Sequence, residues 1–208
     1  LKTFVQIGTH NGNDDFNKLV RKEEPDCIVL VEPNSNMIDQ ILDSYSYISE
    51  KEKIKLENVA INTQSGPCEV VIPKEPIPQP DGSSCELGTA HYSLIPMDDW
   101  GDDFKSIKTE GITFSELCEK HSITEIDYLQ IDTEGFDSQI ILSIDFDKVK
   151  IKKLQYEYWP FKSEDQYTRY GEDGKKYGVT GMEEVEDKLT DLNYKIMFSG
   201  GDVVATLK

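Results

Sequence analysis

The sequence predicts a doubly wound, Rossmann-like α/β fold built on a mostly parallel sheet. Three observations carry that prediction. Short apolar runs rich in β-branched residues alternate with polar stretches of helical spacing, which favours parallel strands covered by helices on both faces. The first run, Phe4-Val5-Gln6-Ile7, passes straight into the turn Gly8-Thr9-His10-Asn11-Gly12-Asn13-Asp14. About twenty residues later a second run, Cys27-Ile28-Val29-Leu30-Val31, ends on Glu32. A strand, a glycine turn, a helix and an acid at the tip of the next strand make a site for a ribose-bearing ligand.

Each element follows in order. Asp14 to Lys22 is helical and is stopped by Glu23-Glu24-Pro25-Asp26. After the Cys27–Val31 strand, Pro33-Asn34-Ser35 opens a helix that runs to about Ser44. Ile54 to Ile61 reads as a third strand with Asn58-Val59-Ala60 near its tip. Thr63-Gln64-Ser65-Gly66 is a turn, and Cys68 to Ile72 a short strand beyond it. Residues 73 to 104 break the alternation, with Pro73, Pro76, Pro78, Pro80 and Pro96 around Asp81-Gly82-Ser83-Ser84. A loop of that length is usually functional or disordered, and its apolar centre His91-Tyr92-Ser93-Leu94-Ile95 predicts a cover over the site. Ser106 to Ile112 is extended. Thr113 caps a helix through His121, with Glu116 completing a capping box. Ile126 to Ile131 is the fourth main strand, ending in Asp132-Thr133-Glu134-Gly135, and a helix covers Ser138 to about Ile144. Ile151 to Tyr158 is the fifth strand. Met182 to Leu192 is a helix, and Tyr194–Phe198 and Asp202–Leu207 close the chain as a hairpin across Ser199-Gly200-Gly201.

At 208 residues the chain reads as one domain, 1–208, carrying the 73–104 insertion. It opens at Leu1 inside a strand pattern, which fits a domain cut from a longer chain. With 40 acidic against 22 basic side chains the net charge is −18. Such a surface repels phosphate backbones and anionic bilayers, so neither a nucleic acid nor a membrane is an expected partner. No apolar run approaches the ~20 residues of a membrane span, and no signal peptide is evident. The four cysteines, at 27, 68, 85 and 118, form no C-x-x-C pair and are read as free thiols in a reducing, cytoplasmic compartment.

Spacing in the first turn limits the ligand further. A dinucleotide fingerprint needs glycine at 8, 10 and 13, whereas His10 and Asn13 occupy two of these positions. The loop is poorly built for a pyrophosphate, which weighs against a nicotinamide-dependent oxidoreductase. It suits a smaller ligand whose carboxylate and amine meet exposed amides and the Asn11 side chain. S-adenosyl-L-methionine fits that description, with Glu32 receiving two ribose hydroxyls. A structural glycine turn in some other α/β protein is the plain alternative.

The blocks Val5–Gly12, Val31-Glu32-Pro33-Asn34, Asn58-Val59-Ala60-Ile61, Gly66 and Ile126–Gly135 together resemble the FkbM-type methyltransferases, in order and over most of the chain. The Ile131-Asp132-Thr133-Glu134-Gly135 block is the most specific part. The resemblance implies a class I methyltransferase sheet of seven strands, the last inserted antiparallel. It also implies O-methylation of a hydroxyl on a sugar or small metabolite, a small-molecule and carbohydrate-like acceptor. Cofactor contacts are expected from Gly8, Thr9, Asn11, Gly12, Glu32, Pro33, Val59, Ala60 and Asp132. The sequence departs from the family in two ways: Gln6 stands where Asp is common, and no helix precedes the first strand. A methyltransferase-shaped binding module without catalysis is the alternative from another class. Oligomeric state is left open.

Methyl transfer from a sulfonium needs alignment of nucleophile and methyl, and a group to remove a hydroxyl proton. Asp132, Glu134 and Glu157 all follow strands at their carboxyl ends, where ligands of doubly wound sheets sit, so strand order predicts that they converge. Asp132 would face the sulfonium or the acceptor hydroxyl; capping the next helix is its structural alternative. Asp132 and Glu157 form a set able to hold Mg²⁺, but nothing in the pattern demands a divalent metal and no metal site is predicted. Of the three histidines, His121 ends a helix and His10 lies in the turn, while His91, in the long loop, is the best general base by its intrinsic pKa. Tyr156, Tyr158, Trp159, Phe161, Tyr167, Tyr170 and Tyr177 are suited to stacking on a sugar face or to lining an interface.

Overall fold

Seven strands pair edge to edge with helices on both faces, as a computed structural model that describes residues 1–74, 104–158 and 181–208 shows. The chain opens with β1 (Thr3–Ile7), α1 (Asp15–Glu23) and β2 (Cys27–Val31). A 3₁₀ turn at Ser35–Met37 leads into α2 (Ile38–Ser44), then β3 (Ile54–Glu57), β4 (Ala60–Ile61) and β5 (Gly66–Pro73). The next described stretch holds β6 (Phe104–Ile112), α3 (Phe114–Lys120), β7 (Glu125–Ile126), β8 (Tyr128–Ile131), α4 (Asp137–Ser143), β9 (Lys150–Ile151) and β10 (Lys153–Glu157). Last come α5 (Gly181–Asp191), β11 (Tyr194–Ser199) and β12 (Asp202–Leu207).

The main sheet has the order β11-β12-β10-β8-β1-β2-β3. β1 pairs in parallel with β2 and β8, β8 with β10, and β2 with β3. β12 runs antiparallel between β10 and β11, the inserted strand the sequence predicts. The order reverses at β1, where the chain first leaves for β2 on one side and later returns to β8 on the other. Crevices open at such a point beyond the carboxyl ends of the strands.

Alternation along the central strands explains the two helical layers, since successive side chains point to opposite faces. Phe4, Ile28, Leu30 and Tyr128 pack with Phe16, Val20, Met37, Ile41 and Tyr45, from α1, α2 and their flanks. Val5, Ile7, Val29, Val31, Leu129, Ile131, Leu154 and Tyr156 pack against Phe114 and Leu117 of α3, Ile140 and Ile141 of α4, and Val185 and Leu189 of α5. Each fully buried aliphatic contributes about 1.5–3 kcal/mol by leaving water.

Local signals set the helix ends. Asp14 caps α1 by accepting from Asn17 N at 2.9 Å. The Thr113/Glu116 capping box is present: Glu116 N donates to Thr113 Oγ1 at 3.2 Å, and Thr113 N donates to Glu116 Oε2 at 2.7 Å. The helix expected from Pro33 instead begins as a 3₁₀ turn, because the Asn34 side chain accepts from Asn36 N at 3.1 Å and tightens that turn.

The expected strand Ile54–Ile61 is two strands in different sheets. β3 ends at Glu57, Asn58 Nδ2 donates to Glu32 O at 2.8 Å, and β4 then joins β6 in a small sheet of order β4-β6-β5. A polar side chain bonded to the neighbouring strand's end diverts the chain. β5 and β6 form an antiparallel ladder from Gly66↔Gly111 to Pro73↔Phe104, so the two residues that flank positions 74–103 lie side by side. The strands expected at Ile126–Ile131 and Ile151–Tyr158 are likewise interrupted: β7 and β9 pair with each other before β8 and β10 enter the main sheet.

Candidate functional site

The turn after β1 is bound tightly to the tip of β2. Gly8 N and Thr9 N both donate to Val31 O, at 3.0 and 3.1 Å, and Gly12 N donates to Thr9 O at 2.9 Å. Gly8 has φ +84, and a Cβ there would lie 1.8 Å from the backbone oxygen of Asp132. Only glycine fits between β1 and the end of β8. Gly12, at φ +71, rests on the Tyr45 ring, where a Cβ would come within 3.1 Å.

Glu32 organises the centre of the site. It is 1% exposed, and its two carboxylate oxygens accept from His10 N at 2.7 Å and Asn34 N at 2.8 Å. Its own backbone N–H donates to Glu57 O at 3.0 Å. Burial pushes the Glu32 carboxyl up from the ordinary 4.5 to about 8, with the N–H groups of Asn34 and His10 pulling the other way. Each oxygen keeps a lone pair for a further donor.

A cavity of about 270 Å³ opens above this turn. Gly8, Thr9, Asn11, Glu32, Pro33, Val59, Ala60 and Asp132, all expected at a cofactor site, line it. Gly12 does not; it supports the turn from below. His10, Asn13, Asp14, Val70 and Thr133 also line the cavity and were not anticipated. The exposed amides expected on the turn are largely used internally. Gly8, Thr9, His10, Gly12 and Asn13 all donate within the protein, the last to Asn11 Oδ1 at 3.0 Å. The Asn11 carbonyl oxygen is thereby committed to an Asx turn, because a short side-chain acceptor two residues back meets the amide more readily than a ligand does.

Asp132, Glu134 and Glu157 converge as strand order predicts: one carboxylate oxygen from each lies within 4.8 Å of the others. Asp132 opens onto the crevice but lies below the general surface. Loss of solvation first, and then Glu134, Asp137, Asp202 and Asp14, push its carboxyl well above the ordinary range. The half-buried Glu157 is pushed up to about 11 by desolvation and by Glu134, Asp132, Asp137 and Asp202. Asp132 does not cap the next helix. The N-cap of α4 is Phe136, with no side-chain cap bond; Asp137, the first residue of α4, is wholly buried and accepts from Thr133 N at 3.0 Å, Thr133 Oγ1 at 2.5 Å and Glu157 N at 3.0 Å. One carboxylate thus ties the β8 loop, α4 and β10 together. His91 lies outside the described residues, as do Trp159, Phe161, Tyr167, Tyr170 and Tyr177.

Backbone conformation marks the same place. Among the described residues, five non-glycine residues have positive φ. Glu24, Ser122 and Asn193 follow helices, where a left-handed residue is the usual terminator. His10 (φ 50) and Glu134 (φ 53) instead follow β1 and β8, at the crevice, where strained residues gather at functional sites.

Comparison with known proteins agrees with this geometry. The family model of the methyltransferase FkbM domain matches residues 6–196. No curated protein matches the chain. Among solved structures, a putative caffeoyl-CoA O-methyltransferase from Staphylococcus aureus aligns over 100% of this chain and 76% of its own, with 13% identity and a TM-score of 0.53, a likeness of fold. TrmK of M. capricolum, in complex with S-adenosyl-homocysteine, aligns over 99% of this chain and 62% of its own, with 12% identity and a TM-score of 0.46. A methyltransferase FkbM from Methylobacillus flagellatus KT aligns over 99% and 43%, with 10% identity and a TM-score of 0.48. The chain spans less than two thirds of the length of these last two. Its residues 6–196, with the seven-stranded sheet and the crevice they build, belong to the methyltransferase FkbM domain family.

Proposed function

We propose that this chain is an S-adenosyl-L-methionine-dependent O-methyltransferase acting on a hydroxyl of a sugar or small metabolite. The observation that carries the reading is Glu32, a buried carboxylate facing the glycine turn across a cavity at the carboxyl ends of β1, β2 and β8. Glu32 would hold the ribose hydroxyls with its remaining lone pairs. Pro33, Val59 and Ala60 would flank the base, and Gly8, Thr9 and Asn11 would border the amino-acid end. Bound there, the cofactor supplies a methyl group on a positively charged sulfur.

The three converging acids suit the acceptor side. Desolvation, and then their mutual crowding, favour the protonated forms of Asp132 and Glu157. A positive charge beside Asp132 favours its ionised form, and an ionised carboxylate at that place can take the proton of an acceptor hydroxyl. The acidic crevice and the net charge of −18 favour a neutral, hydroxyl-rich acceptor over a phosphorylated one or a nucleic acid. Val70 of β5 lines the cavity, and the 74–103 segment starts and ends on the β5–β6 ladder, which supports residues 73–104 as a cover and His91 as a candidate general base. Cys27, Cys68 and Cys118 are free, in keeping with a reducing, cytoplasmic compartment, and no described helix is long and apolar enough to cross a membrane.

The test is formation of S-adenosyl-homocysteine, followed by mass spectrometry, on mixing the chain with S-adenosylmethionine and a panel of sugars and polyols. Turnover is expected with a hydroxylated acceptor and should fall at least about 100-fold in Asp132→Ala. Turnover that survives Asp132→Ala undiminished would overturn the assignment of the acid. A folded chain that binds no cofactor would overturn the function.

A further inference from the structure

We propose that Asp137 is a positioning residue for the three crevice acids: its carboxylate bridges the ends of β8 and β10 and so sets the spacing of Asp132, Glu134 and Glu157 on which proton removal from the acceptor depends. This rests on the methyltransferase reading above. The ladder between β8 and β10 ends at the pair Ile131↔Tyr156. Asp132 and Glu157 each lie one residue beyond that pair, where the ladder has stopped. On its other side β8 stays tied for longer, with Asp132 N donating to Ile7 O at 2.9 Å. The strand ends are therefore free to splay on the β10 side, between the acids. Asp137 closes that side. Its Oδ2 accepts from Thr133 N and Thr133 Oγ1, and its Oδ1 accepts from Glu157 N at 3.0 Å. Thr133 stands between Asp132 and Glu134 in the chain, so one side chain holds the residue between two of the acids and the backbone of the third.

The chemistry of the bridge is specific. Both strand ends present backbone N–H groups, and two donors cannot bond each other. An ionised carboxylate, with an acceptor on each arm, joins them; an amide of the same size has an acceptor on one arm only. Burial pushes the Asp137 carboxyl up to about 6, with the Thr133 hydroxyl and the Glu157 and Thr133 N–H groups pulling the other way. A buried charge is costly unless it is hydrogen-bonded, and here three bonds offset it. The bridge also opposes a force. The three acids bring oxygens within 4.8 Å of one another, and each one that ionises repels the rest. Glu134, the residue after Thr133, is left-handed at φ 53, a conformation that persists where the surroundings hold it. Asp137 does not itself line the cavity, whereas Asp132 and Thr133 do, so it acts through the residues it holds.

Asp137→Asn tests this, because it keeps the size of the side chain and turns one arm into a donor that faces an N–H group. With the panel of sugars and polyols as acceptors, kcat for S-adenosyl-homocysteine formation should fall about tenfold or more. KM for S-adenosylmethionine and the calorimetric affinity for S-adenosyl-homocysteine should stay within about twofold, a split that a general loss of structure would not give. A crystal structure of the same variant needs no acceptor. It should show the Thr133 and Glu157 nitrogens farther apart than in the wild type by about 0.5 Å or more, with the acids displaced. Should the Asn variant not fold, Thr133→Val carries the test: it removes only the hydroxyl bond and should lower kcat about threefold or more at unchanged cofactor affinity. An unchanged kcat, an equal loss of kcat and cofactor affinity, or acids that have not moved in the variant crystal would each overturn the proposal and leave the cofactor reading intact. Wild-type chain that binds no S-adenosyl-homocysteine overturns the methyltransferase reading itself.

Discussion

Glu32 was legible from its place at the end of the Cys27–Val31 run, but its bonding was not. Sequence spacing puts an acid one strand over from a glycine turn; only folding shows that His10 N and Asn34 N already meet its two oxygens. This has a measurable consequence. The unfolded carboxyl titrates near 4.5 and the folded one at about 8, so between these values the folded state holds a proton that the unfolded state releases. Stability contributed by Glu32 is therefore lost as pH rises through that window and levels off above it. Between pH 6 and pH 8 the loss is on the order of 2 kcal/mol. Urea unfolding of the ligand-free chain at the two pH values should show it, and Glu32→Gln should reduce the dependence by about that amount, the raised Asp132 and Glu157 carboxyls keeping the remainder. An unchanged slope in that variant would place the titrating group elsewhere. Asp137 and Asp14 escaped the sequence reading for a different reason. Each looks like an ordinary helix-start acid, and its second task depends on Glu157, Thr133 or Gln6 arriving from another strand.

The elements were predicted best where the signal is local. The Thr113/Glu116 capping box was readable because both partners lie within four residues. Its work reaches further than α3. At the far end of that helix Lys120 Nζ and His121 Nε2 meet Glu57 at 2.6 and 2.8 Å, and the backbone oxygen of Glu57 accepts from Glu32 N. Thr113→Ala should cost about 1 kcal/mol, or roughly 2–4 °C in Tm for a chain of this size. Thermal unfolding followed by circular dichroism checks it; a change under 1 °C would mean that tertiary contacts alone hold α3. Element boundaries failed where a distant partner decided them. The break at Asn58 depends on Glu32 O, an acceptor 26 residues earlier in the chain. Nothing in the run Ile54–Ile61 separates one strand from two, because both pieces carry branched apolar residues and read as extended.

The molecule as a whole follows from repetition. Strand and helix patterns that alternate admit few topologies, and right-handed crossovers reduce these to a parallel sheet with a crevice where the order reverses at β1. That is why the crevice, and the convergence of Asp132, Glu134 and Glu157 on it, could be read from strand ends alone. What encloses the crevice could not, since the residues that line it (Asn13, Val70 and Thr133 among them) come from elements far apart in sequence. The seven-stranded sheet leaves one direct question: whether an adenosine lies between the glycine turn and Glu32. A crystal structure of the chain with S-adenosyl-homocysteine answers it. The account predicts both ribose hydroxyls within about 3 Å of the Glu32 carboxylate, with the thioether sulfur towards Asp132. An adenosine bound away from Glu32, or a cavity that stays empty at saturating ligand, would contradict it.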